Sequence, residues 1–258
     1  MKKIGVFDSG IGGLTVLRAL RRRAPRADFV FLGDLARVPY GVHGQPTILS
    51  YARSDAEFLL SQGADAIVIA CNTATAAALD ALREELDVPV WGVIAPAAEE
   101  AVRLSRGGIA VMATEATVRS GSYERTLRAL RPGGEYHFLP CQKLVSLIER
   151  GVPEEAEEAV EQCRAYLAPI MGKSVDTLVL GCTHFPLYSG AIASLLPGVK
   201  LVDSGEALAG QLSEILREAS GEGRTDYCVT ARSEAFERAV ERLDGSAAPG
   251  CVRCVGAL

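Results

Sequence analysis

The sequence predicts an α/β protein of two similar doubly wound parallel-sheet domains, related by a pseudo-two-fold axis, with the active site in the cleft between them. Two observations lead to this prediction. Short runs of Val, Ile, Leu and Phe alternate with longer helix-forming segments, which is typical of parallel sheets covered by helices. In addition, a strand-like segment that ends in cysteine occurs twice, which indicates a duplicated unit.

Eight continuous apolar runs are the predicted strands, because strands buried on both faces need no polar alternation. Eight longer segments between and after them have the composition of helices. The predicted strands are Ile4–Phe7, Phe29–Leu32, Ala66–Ala70, Val90–Val93, Ile109–Met112, Tyr136–Leu139, Thr177–Leu180 and Lys200–Val202. The predicted helices are Gly13–Arg23, Pro46–Gln62, Thr75–Leu86, Ala97–Leu104, Gly121–Leu130, Pro153–Ile170, Glu206–Ala219 and Ser233–Arg242.

The repeated segment is Ala64–Cys71 (ADAIVIAC) and Val175–Cys182 (VDTLVLGC), with matching positions 111 residues apart. Each copy has an aspartate, an apolar strand, a small residue and then a cysteine. A repeat of this length indicates a domain duplication, since solenoid units have about 20–50 residues. We therefore expect one domain of residues 1–96 plus 207–258 and a second domain of residues 97–206.

The composition favours a soluble cytoplasmic protein with reduced thiols. Of the 258 residues, 48% are hydrophobic and 23% are charged, which is enough to bury a sizeable core. A net charge of −5 and an even spread of Lys and Arg argue against nucleic acid as a primary partner. No apolar run reaches the roughly 18 residues of a membrane span or forms a signal peptide. Seven cysteines, an odd number, argue against a disulfide framework.

Polar residues follow the carboxyl ends of the predicted strands, where open α/β sheets bind ligands. Hydroxyl, amide and main-chain donors at such positions suit a carboxylate or a phosphate, because they point at the anion without adding a full positive charge. These residues are Asp8-Ser9-Gly10, Gly33-Asp34, Cys71-Asn72-Thr73, Ala113-Thr114 with Thr117, Gly181-Cys182-Thr183-His184 and Asp203-Ser204-Gly205.

Cys71 and Cys182 are the candidate catalytic pair, although one cysteine at a strand end is more often a packing residue. Two at equivalent positions of a duplicated unit would face each other across the cleft. Racemisation by proton transfer needs this, because one group removes the proton and another returns it on the opposite face. Thiols suit the task, since their ordinary pKa of about 8.5 lies near neutrality. Asp8 and His184 could exchange protons with them; a backbone-satisfied His184 is the alternative.

Six segments resemble the glutamate racemases, and together they span nearly the whole chain. The two cysteine motifs alone would indicate only the wider aspartate/glutamate racemase superfamily. DSGIGG, VPYG and the histidine after CT resemble the glutamate branch. The six segments are GVFDSGIGGLTVLRAL, FLGDLARVPYG, IACNTATAAAL, MATEATVRSGSYER, LVLGCTHFPL and LVDSGEALA.

The resemblance implies a homodimeric, cofactor-independent enzyme of the bacterial cytoplasm that supplies D-glutamate for peptidoglycan. It implies that Cys71 acts on D-glutamate with help from Asp8, and that Cys182 acts on L-glutamate with help from His184. Because the chain begins at its first strand, we expect no activation by a cell-wall precursor through an N-terminal extension. The residues implied to bind the substrate carboxylates are Ser9, Pro39, Tyr40, Gly41, Asn72, Thr73, Thr117 and Thr183.

Asp34 and Glu149 match further acidic positions that the family uses in catalysis. The segment around Glu149, Cys141–Glu149 (CQKLVSLIE), replaces a more proline-rich version. Pro96-Ala97 also departs from the common Pro-Gly. Neither departure affects the two cysteines.

Other chemistries fit the sequence less well. Gly10–Gly13 lacks the further glycine of a dinucleotide fingerprint, and no lysine lies in a strand-end motif to hold pyridoxal phosphate. Neither candidate cysteine has the following arginine of a phosphatase. Cys251 and Cys254 form a CxxC without the further ligands of a zinc site, so we expect two unpaired tail thiols and no metal.

Two alternatives remain open at this point. The same thiol pair could serve a racemase of aspartate or a related acid. A non-catalytic regulator could also keep the scaffold and bind a dicarboxylate or a protein partner.

Overall fold

A computed structural model describes residues 1–244 and 251–258 of the chain. Within these ranges the strands are β1 (Lys3–Asp8), β2 (Asp28–Gly33), β3 (Ala66–Ile69), β4 (Val90–Gly92), β5 (Gly108–Ala113), β6 (Tyr136–Pro140), β7 (Val175–Gly181), β8 (Lys200–Asp203), β9 (Thr225–Val229) and β10 (Val252–Cys254). The helices are α1 (Gly13–Arg23), α2 (Gln45–Ser61), α3 (Asn72–Glu85), α4 (Ile94–Leu104), α5 (Glu115–Ser120), α6 (Ser122–Leu130), α7 (Gln142–Glu149), α8 (Glu157–Leu167), α9 (Ser189–Leu195), α10 (Ser204–Gln211), α11 (Ser213–Arg217) and α12 (Glu234–Asp244).

The strands form two parallel sheets. The first has the order β10-β9-β2-β1-β3-β4, and the second has the order β6-β5-β7-β8. In each half the second strand pairs with the first, the first with the third and the third with the fourth. This shared order supports a duplication and confirms the predicted α/β fold class with two parallel sheets.

Helices cover the first sheet on both faces, which explains why its strands read as continuous apolar runs. Ile4 and Val6 of β1 pack in the same core as Leu17 of α1. Phe7 points to the opposite face and packs with Ile48 of α2 and with residues of α3. Because neither face meets water, no position of the strand selects for polar side chains.

The chain leaves the first sheet after β4 and returns to it at β9, and the four strands between form the second sheet. Helix α10, on the returning segment, contacts both α1 and α4. The returning segment is therefore part of the contact between the halves. The domain limits of 1–96 plus 207–258 and 97–206 stay a prediction.

Several elements differ from the sequence-based expectation. β9, β10, α7 and α9 were not expected. The helix expected over Gly121–Leu130 is present as α6, and the unexpected helix α5 precedes it; Gly121, with a left-handed φ of +67°, separates the two. The segment expected as one helix over Glu206–Ala219 forms α10 and α11.

Part of the tail that carries Cys251 and Cys254 lies outside the described residues. Within the described ranges, Cys254 lies exposed on the edge strand β10. No cluster of three or more His, Cys, Asp or Glu side chains in those ranges could hold a metal ion. None of the helices described is both long enough and apolar enough to span a membrane.

The aspartate in each repeated segment anchors the far end of its sheet. Asp65 Oδ2 accepts a hydrogen bond of 2.7 Å from the backbone N–H of Lys2, just before β1. The equivalent Asp176 Oδ2 accepts from the backbone N–H groups of Arg106 and Gly107 at 2.7 and 2.8 Å, just before β5. Burial alone would raise the pKa of Asp176, but these bonds and one from Ser105 lower it to about 2.

Replacing Asp176 is expected to destabilise the second sheet. Asp176→Asn should lower the free energy of unfolding by about 1–2 kcal/mol at neutral pH, because a charged acceptor is lost. The aspartate's contribution is fully present above the ordinary pKa of about 3.9 and is lost as the pH falls through the folded-state value. Urea unfolding followed by circular dichroism at several pH values measures both effects.

Asp65→Asn is the matched control, since the Asp65 carboxylate accepts a single hydrogen bond within the described ranges, from Lys2, and a smaller loss is expected. A difference between wild type and Asp176→Asn that stayed constant below about pH 4 would contradict the prediction.

Candidate active site

The candidate site lies where strand ends from the two halves meet. β1 ends at Asp8, β3 ends just before Ala70-Cys71, and β7 ends directly before Cys182. Thr183 Oγ1 donates a hydrogen bond of 3.0 Å to Asp8 Oδ2, which joins the second half to the first. The parallel sheets thus bring both cysteines and their polar neighbours to one buried region.

Cys71 caps the N-terminus of α3 and is almost fully buried, at 5% exposure. Its Sγ accepts from the backbone N–H of Ala74 at 3.4 Å and lies 3.8 Å from Ser9 Oγ. Burial raises the pKa of Cys71 to about 12, and the nearby charges of Asp8 and Cys182 act in the same direction. At neutral pH this sulfur is therefore a protonated thiol.

Cys182 is equally buried but has a different partner. Its Sγ lies 3.6 Å from His184 Nδ1, and His184 Nε2 lies 2.5 Å from Glu149 Oε1. Burial lowers the pKa of His184, but the hydrogen bonds to Cys182 and Glu149 outweigh it and raise that pKa well above its usual range. A protonated ring donates to both neighbours, so Cys182 faces a cation.

Glu149 fixes this histidine from the C-terminal end of α7. Its Oε1 also accepts from the backbone N–H of Ile11 at 3.1 Å. Burial raises the pKa of Glu149, but the bonds from His184 and Ile11 lower it overall, so it stays ionised. A side chain at Gly10 would overlap the Glu149 carboxylate, which explains why this turn needs glycine.

Asp8 is fully buried behind the turn that follows β1. Its Oδ1 accepts from the backbone N–H of Gly10 at 2.9 Å, and its Oδ2 accepts from Thr183. Burial raises the pKa of Asp8, and the charge of His184 and the two hydrogen bonds offset only part of that rise. Asp8 is thus better able to hold a proton than an ordinary aspartate.

Three threonine hydroxyls from the two halves form a second cluster. Thr73 Oγ1 lies 2.9 Å from Thr114 Oγ1 and 3.2 Å from Thr117 Oγ1, and the last two lie 2.8 Å apart. All three residues are buried and lie in the first turn or at the N-cap of a helix. Thr114 is among the polar strand-end residues identified from the sequence, but not among the residues that the resemblance implies to bind the substrate carboxylates.

Asn72 is held by the second half of the protein. Its Nδ2 donates to Ser204 Oγ at 3.2 Å, and its Oδ1 accepts from the Tyr123 hydroxyl at 2.7 Å. Burial raises the pKa of Tyr123, so its phenol stays a donor. Sequence reasoning did not assign a role to Tyr123, because nothing in its local sequence indicates a partner fifty-one positions away.

Asp34 lies in a separate buried network rather than beside the thiols. Its carboxylate accepts from Arg37, from the Tyr40 hydroxyl and, at 2.8 Å, from Thr230 Oγ1. Arg37 and Tyr40 each contact Asp55 as well, both at 2.8 Å. Burial and the charge of Asp34 raise the pKa of Asp55 well above its usual range.

This network fixes two expected binding residues. Burial and the two carboxylates raise the pKa of Tyr40, so the phenol stays protonated and points into the network. Asp34 touches the thiol region only through its backbone N–H, which donates to the Asp8 carbonyl at 2.8 Å. The Tyr40 hydroxyl is therefore already hydrogen-bonded to Asp34 and Asp55. The part of Tyr40-Gly41 that faces the second half is the backbone.

The remaining residues that the resemblance implies to bind the substrate lie near one another at the strand-end region. Pro39, which precedes Tyr40, follows Val38 through a cis peptide bond and is half-buried. A side chain at Gly41 would lie 2.9 Å from Thr114 Cβ, so the backbone here approaches the threonine cluster closely. The other expected binding residues are buried in the same region, namely Ser9, Tyr40, Asn72, Thr73, Thr117 and Thr183.

Comparison with known proteins identifies the family. The model of the family described as Asp/Glu/hydantoin racemase matches residues 4–212. The chain belongs to the Asp/Glu/hydantoin racemase family. Within this racemase family, it is 43% identical over 244 residues to the glutamate racemase of Aquifex aeolicus, with 94% of each chain covered. It is 44% identical over 247 residues to that of Thermus thermophilus, with 93% and 91% covered.

Solved structures of racemases share the whole fold. The crystal structure of glutamate racemase from Francisella tularensis in complex with D-glutamate superposes with a TM-score of 0.90 at 32% identity, covering 99% of this chain and 98% of that one. The structure of the Thermus thermophilus enzyme with β-chloro-D-alanine gives a TM-score of 0.85 at 42% identity, covering 99% and 97%.

Titration of His184 tests its ion pair with Glu149. Glu149→Gln is expected to lower the pKa of His184, because the neutral amide no longer stabilises the protonated ring. The stability that the pair contributes is present below the ordinary histidine pKa of about 6.5 and is lost as pH rises through the folded-state pKa. Long-range ¹H–¹⁵N NMR of the three histidines measures the change.

Glu135→Gln is the control, because Glu135 contacts only the surface His137, at 2.8 Å, among the histidines described. It should leave the His184 titration unchanged. An unchanged His184 midpoint in Glu149→Gln would show that the ion pair does not set the ring's charge.

Proposed function

We propose that this protein is a glutamate racemase, which interconverts L-glutamate and D-glutamate without a cofactor by using Cys71 and Cys182 as two acid–base groups. The observation that carries the proposal is the contrast between the two sulfurs. They occupy equivalent ends of β3 and β7, yet one is a thiol beside a carboxyl group and the other faces a protonated histidine. The glutamate racemases of the comparison support glutamate as the substrate.

In the direction from L-glutamate, Cys182 acts as the base. As a thiolate stabilised by protonated His184, it removes the proton from the α-carbon. Cys71, which is protonated, then donates its proton to the opposite face of the same carbon. The reverse reaction exchanges these roles, with Asp8 as the proton partner of Cys71.

Burial contributes to the rate by keeping water away from the carbanionic intermediate. The donors near the thiols include the Ser9 hydroxyl and the first backbone N–H groups of α3, which lie at the strand-end region. Fixed donors at a low-dielectric site stabilise the negative charge that the substrate carboxylate gains when the α-proton leaves.

The two thiols can be tested by replacing each with serine. Cys71→Ser and Cys182→Ser are each expected to lower the racemisation rate at least about 10³-fold, because a serine hydroxyl is far less acidic than a thiol. Loss of the circular dichroism signal of L-glutamate, without pyridoxal phosphate or metal, measures the rate. Cys163→Ser, at a buried cysteine of α8, is the control and should keep near wild-type activity.

Solvent exchange in D₂O separates the two roles. Cys71→Ser should still exchange the α-proton of L-glutamate slowly without forming D-glutamate, because Cys182 can return a deuteron to the face from which it took the proton. Full activity in either serine variant would refute the two-thiol mechanism.

The same assay addresses the two alternatives. Decay of the signal with aspartate but not with glutamate would identify an aspartate racemase. No decay with either acid, together with binding of a dicarboxylate, would favour the non-catalytic regulator. The presence of both thiols in this chain, with Asp8 and His184 beside them, favours the enzyme.

From the resemblance, we further propose that the protein is a homodimer of the bacterial cytoplasm that supplies D-glutamate for peptidoglycan. Sedimentation velocity should give twice the mass of one chain. A single species at the mass of one chain would argue against the dimer.

A further inference from the structure

A buried glutamine amide at the cleft has no partner within the described protein. Gln142 is the first residue of α7, close after the carboxyl end of β6. Its Oε1 and Nε2 are both shielded from solvent, and neither forms a hydrogen bond with any of the residues that the structure describes. Buried amide groups are nearly always hydrogen-bonded, because leaving them unpaired costs free energy.

The surroundings of this amide belong to the candidate site. A side chain at Gly41 would overlap Gln142 Oε1, and it would also lie 2.9 Å from Thr114 Cβ. The amide therefore lies between the Tyr40-Gly41 backbone of the first half and the threonine cluster of the second. It is positioned at the same edge of the sheets as the other strand-end residues.

The chemistry of these neighbours indicates what would satisfy the amide. The threonine cluster of Thr73, Thr114 and Thr117 consists of neutral hydroxyls, and Gln142 adds two N–H donors. Such a set of neutral donors suits a carboxylate. The groups that move protons, by contrast, gather around the two thiols.

We propose that Gln142 is a substrate-binding residue whose side-chain N–H groups donate to the substrate carboxylate that is not attached to the reacting carbon. This proposal rests on the proposed function, in which the substrate is a dicarboxylic amino acid. A glutamine amide can turn by about 180° and exchange its O and N positions, so the contact of Oε1 with Gly41 leaves either orientation open to the ligand.

The position of Gln142 also bears on substrate length. Gly41 and Gln142 approach each other closely from opposite halves, so the backbone of Gly41 limits the position of the amide group without fixing which of its atoms faces the ligand. A carboxylate one methylene shorter, as in aspartate, would reach this amide less well. Gln142 therefore contributes to the preference for glutamate.

Two near-isosteric variants test the proposal. Gln142→Leu removes both donors, and KM for glutamate is expected to rise about tenfold, with kcat changed by less than about threefold, because a bond present in both ground and transition states is lost. Gln142→Glu places a negative charge against the carboxylate and is expected to raise KM further. The preference for glutamate over aspartate should fall in both variants.

A pH profile distinguishes binding from packing. Relative to wild type, the KM of Gln142→Glu should improve as the pH is lowered, because a protonated carboxyl regains a donor, whereas that of Gln142→Leu should not. Lys143→Ala, at the exposed next residue of α7, is the matched control and should behave as wild type. Circular dichroism and Tm measurements verify that each variant is folded.

Calorimetry with glutarate and with glutamate separates this proposal from the racemase assignment. If the wild type binds these dicarboxylates without racemising glutamate, the proposed activity fails, yet weaker binding to both Gln142 variants would still support the contact. Affinities and KM values equal to those of wild type in both folded variants would overturn the role of Gln142. Failure of the wild type to bind either dicarboxylate would also overturn it.

Discussion

Among the hydrogen bonds that join the two halves, the one that Thr183 donates to Asp8 most directly links the surroundings of the two sulfurs. Thr183 lies between Cys182 and His184 in the sequence, and Asp8 lies close enough to Cys71 for its charge to raise the pKa of that thiol. The bond thus links the surroundings of one sulfur directly to the segment that carries the other. A shift between the halves would disturb the surroundings of both sulfurs at once.

A duplicated fold places the two sulfurs at equivalent positions, whereas racemisation by two groups needs one of them protonated and the other deprotonated. The two sulfurs differ in this protein because their neighbouring residues differ. Cys71 meets Ser9 and the buried Asp8, while Cys182 meets a histidine whose charge is held by Glu149. The contrast arises from the residues after the strands, since the repeated strands themselves are nearly alike.

The sequence was sufficient to predict the α/β class and the cysteine pair, because buried parallel strands and a repeated segment leave local patterns. It could not predict β9 (TDYCV) and β10 (VRC), because charged or polar residues interrupt them and leave no continuous apolar run. It also could not predict the partners of Asp34, since the sequence around an acidic residue at a strand end does not show whether its side chain faces a thiol or an arginine. The position of the unpaired Gln142 amide could not be predicted either, because Gly41, which lies close to it, belongs to the other half and is far away in the sequence.

Helix α7 connects the two functional ends of the site. Its first residue presents the Gln142 amide beside the threonine cluster, and its last residue holds His184 through Glu149. Eight residues of α-helix span about 12 Å, and such a short helix behaves as a rigid rod. Binding of a carboxylate at one end would therefore restrain the helix that positions the charge beside Cys182. With the proposed roles of Gln142 and Cys182, substrate recognition and the charge beside the base share one structural element, so a ligand too short to reach Gln142 would also lack this restraint.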